Sequence, residues 1–249
     1  MRKITIGYPL IKLETVDSTN IYATQLLKTG QVNEGTVILA VYQTRGKGQG
    51  GNRWISEPAS NLLLSLILRP DFILAERQFF LSMCVSNAIQ GFLAQVTLPV
   101  LIKWPNDILV QGRKIAGILI ENTILNQNLH TSVVGIGLNV NQQDFPDDLP
   151  GPISLRTATG REYNLSDTLD GLLASLTLHL TKLYEKSFAE IKETYLNNLW
   201  GLNAWAWYSD ASGTFEGRIV DVADSGELMV VNRKGIPKAY GFKEIQFPA

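Results

Sequence analysis

A glycine-rich loop with three cationic side chains is the segment of this sequence best suited to bind a ligand. Residues 42–54 carry glycines at positions 46, 48, 50 and 51 and the cations Arg45, Lys47 and Arg53, and they end on Trp54. Glycine allows positive φ angles and close approach of the backbone, so that successive N–H groups can point toward an anion. The composition therefore predicts an anion-binding loop with the indole of Trp54 as a flat wall. A flexible, solvated hairpin loop is the alternative.

The surroundings of this loop exclude three familiar nucleotide-binding motifs. Gly46-Lys-Gly-Gln-Gly-Gly51 matches G-x-G-x-x-G, but that fingerprint must open a helix, whereas this loop leads through Pro58 into a second strand-like run. The kinase motifs Val-Ala-Ile-Lys, His-Arg-Asp and Asp-Phe-Gly do not follow. A P-loop needs Ser or Thr after its lysine, and here Lys47 is followed by Gly48. Anion binding is still predicted, without any of these folds.

Two further clusters contain residue types that could do chemistry. Lys103-Trp-Pro-Asn-Asp107 and Arg113-Lys-Ile-Ala-Gly117 place lysines beside a rigid Trp-Pro step, an amide, a carboxylate and a glycine. Lysine is a compact point charge that suits a phosphate or oxyanion oxygen, although either lysine alone would more often lie on the surface. Asp17-Ser-Thr-Asn20 precedes a helical run and has more polar side chains than one N-cap requires, with capping alone as the alternative.

Strands and helices that alternate along the first 203 residues must position these clusters. Apolar periodicity predicts strands over residues 11–16, 36–42, 61–68, 100–104, 108–110, 114–121 and 132–140. It predicts helices after Ser18 and over residues 76–96, 166–183 and 189–200, with Ser166 as a cap. Gly135 and Gly137 lie inside a strand, which indicates close approach by a ligand or by other backbone. Residues 204–249 predict a small all-β module, with strands over 215–222, 227–231 and 239–247.

Composition limits the class of protein. With 22 Lys and Arg against 23 Asp and Glu, the net charge is −1, which argues against a broad nucleic-acid surface. Cys84, the one cysteine, follows an apolar helical pattern and is expected to be a buried thiol rather than a nucleophile. His130 and His179 have no second ligand at metal-binding spacing, so no zinc site is expected. No apolar run suits a signal peptide or a membrane span, so a cytoplasmic protein without membrane contact is expected.

Five motifs together resemble those of biotin protein ligases, in the family's order and approximate spacing. They are Ser18-Thr-Asn20, the loop over residues 46–54, Lys103-Trp-Pro-Asn-Asp-Ile108, Arg113-Lys-Ile-Ala-Gly-Ile-Leu119 and Gly135-Ile-Gly-Leu-Asn-Val-Asn141. The resemblance implies an α+β fold, with a mixed sheet flanked by helices as in class II aminoacyl-tRNA synthetases. It implies a catalytic domain over residues 1–203 and an SH3-like β-barrel over residues 204–249. Because Ser18 lies so near the start, the resemblance is to the monofunctional type, without the N-terminal DNA-binding domain of bifunctional members.

The resemblance also implies an activity. Biotin protein ligases form biotinyl-5′-AMP from biotin and ATP with Mg²⁺, and then transfer biotin to a lysine of the biotin carboxyl carrier protein of acetyl-CoA carboxylase. Biotin, ATP and that carrier are therefore the expected partners, nucleic acid is not, and a homodimer is left open. The alternatives are a lipoate or octanoate ligase or transferase of the same fold, and a non-catalytic ligand-binding module.

Site residues are carried over from the family's motifs position by position. Lys114 corresponds to the catalytic lysine. The biotin site would comprise Ser18, Thr19, Asn20, Gln43, Gly46, Lys47, Gly48, Gln49, Trp54, Lys114, Gly117 and Gly135. The nucleotide site would comprise Lys47, Gln49, Trp54, Lys103, Asn106 and Asn139, and no protein metal ligand is implied. Lys47 and Gln49 stand where the family often has arginines, and in related enzymes the second arginine is tied to retention of the adenylate. We therefore expect adenylate escape to depend on Gln49.

Overall fold

A seven-stranded mixed sheet is the frame of the larger part of the protein. The computed structural model describes residues 4–30, 32–147, 149 and 151–247. The strands are β1 Leu10–Val16, β2 Val37–Gln43, β3 Asn61–Leu68, β4 Val100–Lys103, β5 Asp107–Val110, β6 Arg113–Leu125 and β7 Asn128–Asn139. Their spatial order is β1-β2-β3-β7-β6-β5-β4. The β1–β2 pair is parallel and the other pairs are antiparallel, so the predicted mixed sheet is confirmed.

Helices cover the two faces of this sheet unequally. One face packs against α2 Phe79–Leu93, α4 Leu165–Tyr184 and α5 Phe188–Asn197 and forms the main core. The other face carries α1 Thr19–Lys28 over β2, β3 and β7 with a smaller apolar cluster. Every residue of β3 is buried, which explains its nearly continuous apolar sequence. The part of the second face that α1 leaves uncovered is where a ligand can reach the sheet.

Several predicted boundaries differ from the structure for local reasons. The helix predicted over residues 76–96 is a 3-10 turn, Ala75–Arg77, followed by α2. The prediction of Ser166 as a cap is wrong: the side chain of Asn164 accepts hydrogen bonds from the backbone N–H groups of residues 166 and 167. A short helix, α3 Leu155–Thr159, was not predicted, and the hydroxyl of Ser154 caps it.

A second, four-stranded antiparallel sheet follows the helices. It comprises β8 Trp205–Asp210, β9 Gly213–Val222, β10 Leu228–Asn232 and β11 Pro237–Tyr240, in the order β11-β10-β9-β8. This sheet is consistent with the expected SH3-like module. The strand predicted over residues 239–247 is wrong beyond Tyr240, because the chain turns at residues 241–244 and Lys243 adopts a φ of 69°. Among the described residues, no helix is long and apolar enough to cross a membrane.

Candidate functional site

A cleft of about 580 Å³ opens on the face of the large sheet that α1 leaves uncovered. The glycine-rich loop borders the cleft on one side, and the segment after β11 borders it on another. Most of the predicted site residues line it: Ser18, Thr19, Asn20, Gln43, Lys47, Gly48, Gln49, Trp54, Asn106, Lys114, Gly117 and Gly135. These predicted residues, from Ser18 to Gly135, span 117 positions of the sequence and are brought to one concave surface.

Three predicted residues do not line this cleft. Gly46 is buried within the loop, where its carbonyl accepts a hydrogen bond from the backbone N–H of Trp54 at 2.9 Å. The ammonium of Lys103 lies 5.3 Å from the ring of Trp200. The amide of Asn139 is buried and donates to the carbonyl of Ile153 at 3.1 Å.

Three glycines lie on the floor of the cleft, where side chains from other elements pack so closely that a Cβ would not fit. The indole of Trp54 covers Gly137 and Gly117, where an added Cβ would lie 2.4 Å and 3.0 Å from its ring atoms. An added Cβ at Gly135 would lie 2.4 Å from Oδ1 of Asn20. Gly135 and Gly137 were predicted to admit a ligand or other backbone, but the groups that approach them are the side chains of Asn20 and Trp54.

Part of the cleft is lined by uncharged hydroxyl and amide groups, and behind them Nδ2 of Asn20 donates to the carboxylate of Glu121 at 2.8 Å. The backbone N–H and the hydroxyl of Thr19 both approach Oε1 of Gln43, at 2.7 Å and 3.1 Å. Since that oxygen is occupied, the amide NH₂ of Gln43 is the group left to donate to a ligand. Ser18 is the N-cap residue of α1, but its side chain makes no capping hydrogen bond. Capping therefore does not explain why a serine stands at this position. Asn20 is fixed by Ser65, whose Oγ lies 2.6 Å from its Oδ1.

A β-bulge aims Lys114 into the cleft. Ile108 pairs with Ala116 while Leu109 pairs with Lys114, so Ile115 has no partner across the β5–β6 pair. The extra residue brings Lys114 to the same face as Gly117, where an added Cβ would lie 3.3 Å from the lysine Nζ. The backbone of Lys114 is held by the N–H of Ile153, which donates to its carbonyl at 2.9 Å.

The ammonium of Lys114 contacts a carboxylate and an aromatic ring. Its Nζ lies 2.6 Å from Oδ1 of Asp107, and both side chains are partly exposed, at 33% and 26%. The same Nζ lies 5.6 Å from the centre of the Trp54 ring, within range of a cation–π interaction. A positive charge therefore lines the cleft beside the apolar wall that Trp54 forms. This arrangement can hold a carboxylate or phosphate oxygen.

Several lining residues were not assigned to the biotin or nucleotide site from the sequence. Arg53 and Gly137 had been predicted only as an anion-binding cation and a point of close approach, and Asn52 and Trp104 lie inside the motifs without an assigned role. Phe242, Lys243 and residues 245–247 come from the C-terminal module, far away in sequence, and no motif marks them. Asp107 stood in a recognised cluster, but the sequence does not show that it pairs with Lys114.

Other reactive side chains do not contribute to this site. Burial raises the pKa of the Cys84 thiol, as expected for a core cysteine. Within the described ranges, no group of three or more His, Cys, Asp or Glu side chains could hold a metal ion. The chemistry available in the cleft is therefore positioning by amides and hydroxyls together with fixed positive charge.

Comparison with known proteins relates this fold and cleft to a family. Residues 13–139 match the model of the Biotin/lipoate A/B protein ligase family. The bifunctional ligase/repressor BirA of Bacillus spizizenii is 32% identical over 238 residues, covering 94% of this chain and 73% of its own length. The biotin–[acetyl-CoA-carboxylase] ligase of Paracoccus denitrificans is 30% identical over 244 residues, covering 92% and 98%. The structure of biotin protein ligase from Aquifex aeolicus in complex with biotin and ATP matches with a TM-score of 0.74 at 29% identity, covering 96% of this chain and 98% of that one.

Proposed function

The chain belongs to the biotin/lipoate A/B protein ligase family, and from this premise we propose that it is an ATP-dependent biotin protein ligase. The observation that carries the proposal is the position of Lys114. Its ammonium lies 5.6 Å from the centre of the Trp54 ring, in a cleft that uncharged polar side chains and the cation-bearing loop also line. Biotin has an uncharged ureido head, an apolar body and a carboxylate tail, and the cleft offers amides and hydroxyls, an indole wall and a cation that suit these three parts.

The first step would join biotin and ATP in this cleft. A carboxylate oxygen of biotin attacks the α-phosphorus, the bond to the β-phosphate oxygen breaks, and pyrophosphate leaves with the electron pair. Two anions must meet, so holding them in place and neutralising their charge is the main task of the protein. Lys114 would stabilise the carboxylate and the charge that develops on the α-phosphate. In the structure its ammonium is paired with the carboxylate of Asp107 at 2.6 Å.

The uncharged polar side chains of the cleft would select the ureido head. That head needs both hydrogen-bond donors and acceptors, and hydroxyl and amide side chains supply both. We assign this role to Ser18, Thr19, Asn20 and Gln43. Trp54, Gly117 and Gly135 would border the apolar body, with Asn106 nearer to the nucleotide. Lys103 and Asn139 do not line the cleft. They would contribute to nucleotide binding only indirectly, through the residues that do.

Magnesium enters the proposal as part of the nucleotide substrate. Asp107 is the one acidic side chain among the described residues that line the cleft. Mg²⁺ keeps several waters and usually binds through phosphates plus one or two carboxylates. We therefore expect the ion to arrive with ATP, with Asp107 as the available carboxylate.

The second step would transfer biotin to a protein. The neutral ε-amine of an acceptor lysine attacks the carbonyl carbon of the mixed anhydride, AMP leaves, and the amine loses a proton. We propose the biotin carboxyl carrier protein of acetyl-CoA carboxylase as the acceptor, since a relative of nearly the same length is a biotin–[acetyl-CoA-carboxylase] ligase. We also propose that residues 1–203 form the catalytic domain and residues 204–249 an SH3-like domain, because the second sheet begins at Trp205.

Carrier labelling tests the proposed function. The protein is incubated with ATP, a biotin carboxyl carrier domain, and either labelled biotin or labelled lipoate. A carrier whose acceptor lysine is replaced by arginine is the matched control. We expect label from biotin on the intact carrier only. Label from lipoate instead would support the lipoate ligase alternative, and no label from either would refute a ligase function.

A further inference from the structure

The charged side chains of the cleft do not balance one another. Four lining residues are cationic, Lys47, Arg53, Lys114 and Lys243, whereas Asp107 is the one acid among the described lining residues. Lys114 is paired with Asp107 at 2.6 Å, and Lys47 lies 3.4 Å from Glu121 outside the lining. The net charge of the chain is −1, so this excess of positive charge is local. It favours a ligand with several negative charges.

Two of these cations have no acidic partner among the residues that the structure describes. Arg53 belongs to the glycine-rich loop, whose composition already predicted anion binding. Lys243 belongs to the C-terminal module, about 190 positions later, and no sequence motif drew attention to it. A role for Lys243 in binding the ligand would make the C-terminal module part of the active site.

The turn after β11 holds Lys243 over the loop. Its φ is 69°, in the left-handed region, and the carboxylate of Glu244 accepts a hydrogen bond from the N–H of Gly241 at 2.7 Å in the same turn. Nζ of Lys243 donates to the carbonyl of Gly50 at 2.8 Å. An added Cβ at Gly50 would lie 2.6 Å from Cε1 of Phe242 and 2.7 Å from Cε of Lys243, so both side chains pack directly on this glycine.

The present partner of this ammonium is weak compared with a phosphate. A hydrogen bond from an ammonium to an anionic oxygen is roughly twice as strong as one between neutral groups. Gly50 supplies a neutral carbonyl on a loop with four glycines, which can move without breaking a packed core. Exchanging this carbonyl for a phosphate oxygen would therefore be favourable.

We infer that Lys243 binds the β- and γ-phosphates of ATP and so stabilises the pyrophosphate leaving group. This inference rests on the proposed function, in which the α-phosphate lies at Lys114. Lys243 lines the same cleft as Lys114, so the phosphates beyond the α-phosphate can reach its ammonium. When the bond to the α-phosphorus breaks, pyrophosphate takes the electron pair, and Lys243 keeps its proton and neutralises part of the new charge.

This role of Lys243 predicts different effects of its loss on the two half-reactions. Pyrophosphate is present only in the first, so loss of the Lys243 charge should weaken ATP use and leave transfer from preformed biotinyl-5′-AMP unchanged. If Lys243 only held the loop in place, its loss would impair biotin binding and both half-reactions together. The ratio of the two effects distinguishes a phosphate ligand from a structural contact.

The test compares Lys243→Gln with Lys234→Gln, an exposed lysine of the same module. We expect the KM for ATP in biotin-dependent ATP–pyrophosphate exchange to rise about 10- to 100-fold in Lys243→Gln, since bonds to charged groups contribute that much. The KM for biotin and the rate of transfer from added biotinyl-5′-AMP should stay within about twofold of wild type. Lys243→Arg should retain most of the ATP affinity, and Lys234→Gln should match wild type.

Pyrophosphate binding measured by calorimetry tests the inference without depending on catalysis. Weaker binding by Lys243→Gln than by wild type supports it, and equal binding overturns it. An unchanged KM for ATP, or equal losses in both half-reactions, also overturns it. If wild-type protein shows no biotin-dependent exchange but Lys243→Gln loses pyrophosphate binding, the proposed function fails and the phosphate site stands.

Discussion

Replacing Gly137 with alanine should displace the wall of the biotin site. The added Cβ would lie 2.4 Å from Cε2 of Trp54 and 2.7 Å from Cδ2 and Cζ2. Non-bonded carbon atoms prefer a separation of about 3.5 to 4 Å, so the indole must move by roughly 1 Å. The backbone N–H of Trp54 is held by the carbonyl of Gly46, and Gly117, the cross-strand partner of Gly137, lies beneath the same ring. The ring can therefore move only into the space that a ligand would fill.

The size of the effect follows from overpacking. Forcing an extra methyl group into a filled space costs about 1 to 3 kcal/mol. If that cost falls on binding, the affinity for biotin drops about 5- to 150-fold. Gly137 lies in strand β7 without a positive φ, so alanine adds no backbone strain there. Calorimetric titration with biotin measures the effect directly, and thermal unfolding shows whether stability changes instead.

Two further variants test whether contact with the Trp54 ring causes the loss of biotin affinity. Gly91→Ala is the matched control, because its Cβ would meet a ring atom of His179 at 3.5 Å, an ordinary van der Waals contact. It should leave biotin affinity unchanged and slightly stabilise helix α2. Gly137→Ala should have little effect in a Trp54→Leu background, which lacks the clashing ring. Unchanged biotin affinity in Gly137→Ala, or an equal loss in both backgrounds, would refute the indole as the wall.

Two more predictions concern the loop and the C-terminal module. Gln49→Arg should slow escape of biotinyl-5′-AMP about 10- to 100-fold, because arginine adds charged donors beside the intermediate. The measurement is the amount of adenylate that the protein retains without an acceptor, with Gln95→Arg as a surface control. Equal release of the adenylate by wild type and Gln49→Arg would show that Gln49 does not affect its retention. Asp210 accepts a hydrogen bond from Lys238 at 2.7 Å and others from Ser212 and Tyr240, and these bonds lower the pKa of its carboxyl group. A lowered pKa adds stability above about pH 4 that is lost as the pH falls further. The Tm gap between wild type and Asp210→Asn should therefore narrow below about pH 4, and a constant gap would contradict this reasoning.

Strand β3 shows what the sequence can predict well. Its bounds agree with the prediction because all eight residues are buried and the apolar run is uninterrupted. The helix predicted over residues 76–96 was too long, since periodicity does not distinguish a 3-10 turn from the first turn of α2. Local patterns thus give the elements and leave their ends uncertain by a few residues.

The site was predicted in its residues but not in its geometry. The motifs identified Lys114, but its aim into the cleft depends on the unpaired Ile115, and no residue type marks such a bulge. Gly137 was expected to admit a ligand or backbone, and the group that approaches it is the ring of Trp54. Lys243 was missed because its contact with Gly50 spans 193 positions and arises only when the second sheet packs beside the loop.

Biotin-dependent ATP–pyrophosphate exchange tests the central claim most directly, because it reports adenylate formation alone. Wild-type protein should catalyse exchange with biotin and not with lipoate. Lys114→Ala should lose roughly 10²- to 10³-fold or more of that rate, as expected for removal of one preorganised charge, with an unfolding transition like that of wild type. No biotin-dependent exchange by wild-type protein, or a wild-type rate in Lys114→Ala, would contradict the account.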